Sequence, residues 1–195
     1  GISGKKKRAI GLLYISTIEV FDGFSDGWGA SVSDFGANSF GISLFALQQY
    51  YWNEQKIIPK FSFHQTDYAD YRPDALGENI FQNTFKDYNG QTYWLSVNMD
   101  LIVPNQHIPK WLNIAFGYSA DGMTGGAENV LIYENNPIPL FERKRQYYLS
   151  FDIDFTKIRT KSKFLNTCLA AVNCLKIPFP AIEYSNGIKF KPLYF

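Results

Sequence analysis

The chain has 195 residues and a formal net charge of +1, with 46% hydrophobic and 17% aromatic residues. That length buries one substantial core without a disulfide or metal staple. The near-neutral balance argues against a nucleic-acid binder, which needs a concentrated basic surface.

The first feature in chain order is a basic run, Lys5-Lys6-Lys7-Arg8, which reads as a solvated helix start rather than a grip on phosphate or anionic lipid. Ile10 to Phe21 reads as the end of one helix, Gly23 to Gly29 as a Gly/Ser/Asp turn, and Ser31 to about Asn53 as a second helix. Ser31 and Asp34 fit a capping box. On the second helix Ala30, Ser33, Ala37 and Gly41 recur at spacings of three and four, a small-residue face that lets another backbone approach. Glu19 and Asp22, near the end of the first helix, would then stand with Asp34 beside the positive N-terminal end of the second. The uncharged run from Phe35 to Asn53 is too interrupted to match the ~20 apolar residues of a bilayer-spanning helix, and reads as a buried core helix.

Asn53 to Pro73 is an ordered connector with one short strand at Lys60 to His64, and Asp74 to Phe85 has helical spacing of its apolar residues. From Gln91 the period changes to two. Tyr93, Leu95, Val97, Met99 and Leu101 alternate with polar neighbours, and the same alternation returns over Leu112 to Ser119 and Tyr147 to Phe155. A helix is predicted from about Lys161 to Leu175. It holds Cys168 and Cys174, which lie on different faces, too far apart to bridge, and read as small core residues. Ala181 to Phe195 closes the chain around Asn186-Gly187, a strong hairpin signal.

The expectation is an α+β fold: an N-terminal helical hairpin, then an antiparallel sheet or partial β-barrel of about five to six strands. The helical region and connector cover 1–88, and the β-rich region with its inserted helix covers 89–195, integrated as one domain. Two environments fit the alternation. In a soluble sheet the apolar face meets a core and the polar face meets water. In an outer-membrane barrel the apolar face meets lipid and small or polar residues point inward. Five or six strands do not close a lipid-facing barrel by themselves, and Pro192 denies the last strand a ladder donor.

Glu19, Asp22 and the segment from Gly27 to Phe35 (GWGASVSDF), with Asn38 and Gly41 behind it, resemble the YfiM-like family of predicted periplasmic lipoproteins of Gram-negative bacteria. The chain is similar to the long form of that family through FSFHQTDYADYRP, KDYNGQTYWLSVN, PKWLNIAFGYSADGM, RQYYLSFDIDFTKI and the C-terminal KIPFPAIEY and KFKPLYF segments. The resemblance implies a location in the periplasm or outer membrane and no assigned activity. It also implies an Asp-Lys-x-x-His helix ahead of this region, whose His would join Glu19, Asp22 and Asp34.

The candidate chemistry is carried by few residues. Glu19, Asp22 and Asp34 could serve as general acid and base or as hard oxygen ligands, against the plainer role of capping and locking the hairpin. His64 with Asp67 and Asp70 offers a His–carboxylate grouping, against the plainer role of a hydrogen-bonded loop residue. No His/Cys spacing fits a closed zinc site, so no metal and no cofactor is expected. The Asp121-Gly-Met-Thr-Gly-Gly126 loop lacks the ending of a phosphate-binding loop and reads as a solvent loop. Tyr50, Tyr51, Trp52, Tyr68, Tyr71, Tyr93 and Trp94 supply core and sheet cover, or a groove or interfacial belt. No catalytic motif is recognised. The sequence therefore points to an envelope protein docking on an outer-membrane protein or on lipid, the alternative being an envelope hydrolase or transferase that uses the hairpin carboxylates.

Overall fold

The computed structural model describes residues 32–103 and 107–195, without the side chains of residues 32–35, 37 and 38. The chain divides into a unit ending at Gln55 and a unit running from Lys56 to Phe195.

In the first unit the described element is helix α1 (Val32–Tyr51). It ends where Asn53 takes a left-handed φ of 55°. Its apolar residues are spread around the axis instead of forming one stripe, and Phe40, Phe45, Leu47, Tyr50 and Tyr51 are exposed. The buried core helix expected here is therefore corrected: Gln48 is its buried residue, with its amide donating to Gln55 Oε1 at 3.0 Å. At Gly41 nothing lies within 4 Å of where a Cβ would stand, so among the described residues no backbone uses the small face there. The first helix of the expected hairpin lies outside the described residues.

The second unit is built on a six-stranded antiparallel sheet. Its strands are β1 (Ile57–Phe63), β2 (Gln91–Asn98), β3 (Leu112–Asp121), β6 (Lys144–Ile153), β7 (Phe179–Tyr184) and β8 (Ile188–Tyr194), neighbours in that order. A separate two-stranded ribbon, β4 (Ile132–Tyr133) and β5 (Asn136–Pro137), sits in the long connection between β3 and β6. The expected strands exist; Pro59 and Pro192 fall on the two edge strands of the sheet, and Pro180 is the second residue of β7. The turn between β7 and β8 uses Gly187 at φ 133°.

The helical expectations are modified locally. The single helix foreseen for Asp74 to Phe85 is two, α3 (Pro73–Leu76) and α4 (Ile80–Lys86), because Gly77 turns the chain at φ 106° and Asn79 caps the second through Gln82 N. They follow a short turn of helix, α2 (Tyr68–Tyr71). Met99 to Leu101, expected to extend β2, instead form α5 (Met99–Ile102), because the Asn98 side chain accepts from Asp100 N and starts a helical turn. A 3-10 turn (Phe155–Lys157) leads from β6 towards α6 (Lys163–Val172), which Ser162 caps.

The sheet is strongly curled. Lys60 on β1 reaches Asp152 on β6, and Thr92 on β2 meets the Tyr194 hydroxyl of β8 at 3.0 Å. Residues after α6 pair with the outer edge of β1: Phe61 N donates to Cys174 O and Lys176 N donates to Phe61 O, both at 2.8 Å.

Candidate functional site

The two faces of the sheet have opposite character, and their burial is the reverse of a water-soluble sheet. On the concave face the side chains are buried and mostly polar: Ser62, Thr92, Ser96, Asn98, Asn113, Ser119, Ser150, Asp152 and Glu183, around an aromatic cluster of Trp94, Tyr148 and Tyr194. On the convex face the side chains are mostly apolar and are exposed or half-buried. Strand alternation makes the separation clean, since successive residues point to opposite faces.

An aromatic cluster occupies part of the concave interior. Tyr148 and Tyr194 stack at 4.1 Å, and the Trp94 and Tyr148 rings meet 5.8 Å apart. These two residues sit on strands separated by β3, and the position between them in register is Gly117. A Cβ there would stand 2.7 Å from the indole, so glycine is what lets the rings meet. The Trp94 indole N–H donates to Ser62 Oγ at 2.9 Å, which satisfies its one polar atom.

Beside this cluster runs a chain of buried polar contacts. The Lys60 ammonium lies 2.8 Å from Asp152 Oδ2, both side chains at zero exposure, and also donates to Ile153 O at 2.7 Å. Ser96 donates to Asp152 Oδ2 at 2.6 Å, and Asn113 donates to Ser96 at 2.9 Å. Asp152 Oδ1 has no hydrogen-bond partner among the described residues. The Lys176 ammonium sits over the Trp94 and Phe179 rings, at 5.0 and 5.4 Å, and donates to Ile177 O. Lys60, Ser96 and Asn113 thus pair with Asp152 or with one another, the condition for keeping a charge in such an interior, while Lys176 is held by a carbonyl and two ring faces.

The convex face is ordered in rows by strand register. Tyr93, Tyr118, Tyr147 and Tyr184 are successive cross-strand partners on four neighbouring strands. The next row inward is Leu95, Phe116, Leu149, Ile182 and Phe190, and the one after it holds Ile57, Val97, Ile114 and Phe151. All of the tyrosine row is exposed, as are Phe116 at 51%, Leu149 at 43% and Phe190 at 67%. Beyond the tyrosines the apolar character stops: Gln91 follows Tyr93 outward, Arg145 follows Tyr147, and the Asn186-Gly187 turn follows Tyr184. The Arg145 guanidinium lies over the Tyr118 ring at 5.8 Å.

Past that end of the strands lies a tied-down polar layer. The Asn89 side chain bonds the backbone of Met123 in both directions at 2.8 Å, and Arg143 donates to Gly125 O and Gly126 O. Met123 and Thr124 are buried, so the glycine-rich segment is not the solvent loop expected but a strapped one. The Tyr68 hydroxyl donates to Asp121 Oδ1 at 2.9 Å; burial and that bond push its pKa up to about 12.

Of the residues singled out in the sequence, Glu19 and Asp22 lie outside the described residues, as does the Asp34 side chain. His64 is described. Its backbone N–H donates to Gly90 O at 3.0 Å and its ring lies against Tyr194. The carboxylates that act on it are Asp87 and Asp121 instead of the exposed Asp67 and Asp70, and burial outweighs them, lowering its pKa. His64 Nδ1 is buried with no hydrogen-bond partner among the described residues. The cysteines are also corrected: Cys174 is exposed and Cys168 half-buried, so neither is a core residue. Among the described residues no group of three His, Cys, Asp or Glu is arranged to hold a metal ion, and no helix is long and apolar enough to cross a membrane.

Sequence reasoning missed Lys60, Ser96, Asn113, Asp152 and Lys176. The available signal was the size of the residues that alternate with the apolar ones: apart from Trp94, from Thr92 to Asn98 and from Asn113 to Ser119 they are Thr, Ser, Asn, Ala and Gly, with none of the Lys and Glu of a solvent face. Compared with protein-family models, with curated proteins and with solved structures, the chain matches none.

Proposed function

We propose that this chain is an envelope protein whose sheet lies with its convex face in the lipid of the outer membrane, acting as a structural or docking element and not as a catalyst. The observation that carries the reading is the inversion of the faces. A concave face already packed and hydrogen-bonded leaves no role for the convex residues as a core, and water does not favour a continuous exposed apolar surface of this extent.

Three further features support it. Strands β3 and β6 have 10 residues each, within the range of about 9–11 residues for a lipid-spanning strand. The outward apolar set ends in tyrosine on four neighbouring strands, and tyrosine suits a boundary where one end is greasy and the other wet. Helix α4, adjoining the start of β2 through the Gln91 amide on Thr84 O, leaves Ile80, Phe81 and Phe85 exposed. An envelope location is also what the resemblance to the YfiM-like family implies.

The test is Leu149→Arg, in the middle row. With the protein reconstituted in phospholipid vesicles, a cation on a lipid-facing strand costs about 2–4 kcal/mol at mid-depth. On a water-facing strand such a surface change stays within about 0.5 kcal/mol. Urea unfolding of the variant against the parent in vesicles separates the two, and a neutral result overturns the proposal.

A further inference from the structure

Helix α6 and the segment before it form a second surface, distinct from the sheet. From Thr156 to Ile182 the chain contains Lys157, Arg159, Lys161, Lys163 and Lys176 and no acidic residue. Arg159, Lys161 and Lys163 are exposed. On the helix, Phe164, Leu165, Cys168, Ala171 and Val172 fall within an arc of about 120° at the helical pitch, and Phe164 is 79% exposed, Leu165 46% and Val172 43%. Leu175, 48% exposed, continues the apolar residues beyond the helix and is bridged to Phe61 at the edge of β1.

This surface is held in place. Thr160 is clamped to the helix by Asn166, whose side chain accepts from Thr160 N at 2.9 Å and donates to Thr160 O at 3.0 Å, fixing the basic segment against α6. At the other end Asn173 Oδ1 accepts from Phe155 N at 2.8 Å. The apolar arc is thus presented outward by a tethered helix, with basic residues at its start and no acidic residue between Thr156 and Ile182.

We propose that α6 docks on the anionic phospholipid surface of the membrane, its apolar arc sinking among the acyl chains while Arg159, Lys161 and Lys163 meet the phosphates. The reading rests on the convex face lying in lipid, which brings this end of the strands to a membrane surface. A stripe of this width beside a cluster of basic residues with no acid is the pattern of an interfacial helix. A protein partner would need acidic groups of its own at the same place, and nothing in this unit supplies or excludes them by shape; the charge pattern favours lipid.

The chain carries its own reporter positions, since Cys168 and Cys174 are its only cysteines and Cys168 lies in the apolar arc. The full chain carrying Cys174→Ser is labelled at Cys168 with a polarity-sensitive fluorophore and reconstituted in vesicles of phosphatidylcholine, with or without phosphatidylglycerol. The expected result is a blue shift that requires phosphatidylglycerol and is reversed by salt. In R159Q/K161Q/K163Q the docking equilibrium weakens roughly a hundredfold, at about one tenfold step or less per cation. A probe that stays in water, or that shifts equally without anionic lipid, overturns the proposal. A companion protein, C168S/C174S/L149C, is labelled on the convex face. If that probe is in water the sheet reading itself fails, and if it is in lipid while the Cys168 probe is not, only the α6 inference fails.

Discussion

Removing the cation of the buried pair is the sharpest test of how the concave interior is held. Lys60→Met keeps much of the side-chain volume and deletes the ammonium, leaving Asp152 at zero exposure with Ser96 as its remaining donor at 2.6 Å. Breaking a buried pair from one side costs about 3–5 kcal/mol, most of it the penalty of an uncompensated charge. Asp152→Asn alone strands the ammonium less severely, because Ile153 O at 2.7 Å and Asn173 Oδ1 at 3.4 Å still accept from it. In the double variant K60M/D152N neither member of the pair carries a charge, Lys176 is unchanged, and the Asn can still accept from Ser96. The double variant is therefore expected to be more stable than K60M by about 2 kcal/mol, a sign reversal that additive packing losses do not produce. The measurement is urea unfolding of all four proteins in the same detergent or vesicles, followed by far-UV circular dichroism. If K60M/D152N is no more stable than K60M, the pair is not what compensates Asp152 and the reasoning fails.

Gly117→Ala is expected to cost about 1–3 kcal/mol, typical of overpacking, because the new methyl would stand 2.7 Å from the Trp94 ring; urea titration checks it, and an unchanged midpoint would refute it. For His64 the sign follows from burial: its folded pKa lies below the ordinary 6.5, so the unfolded chain binds the proton first and stability is lost as pH falls through 6.5 towards the folded value. His64→Gln should flatten that acid-side loss while leaving stability above it little changed in slope, and an unaltered pH profile would rule His64 out as its source.

How much of this was legible beforehand differs by element. The two-residue period located β2, β3 and β6, and Asn186-Gly187 located the last hairpin, because alternation and turn chemistry are local properties. The breaks at Gly77 and Asn98 were missed, since an apolar spacing continues through both while a positive φ or a single side-chain cap ends the element. The site was less legible. His64 was marked, but with Asp67 and Asp70, its near neighbours in sequence, whereas Asp87 and Asp121 reach it only through the fold.

By itself the sequence determined the α+β class, the antiparallel order of consecutive strands and the existence of one apolar and one polar face on each. Which face is inside was decided by the tertiary structure alone. Alternation is symmetric with respect to the two sides of a strand, and only the curl that brings Lys60 to Asp152 and Tyr194 to Thr92 encloses the polar set. Once those short polar side chains satisfy one another, the apolar rows are left outside.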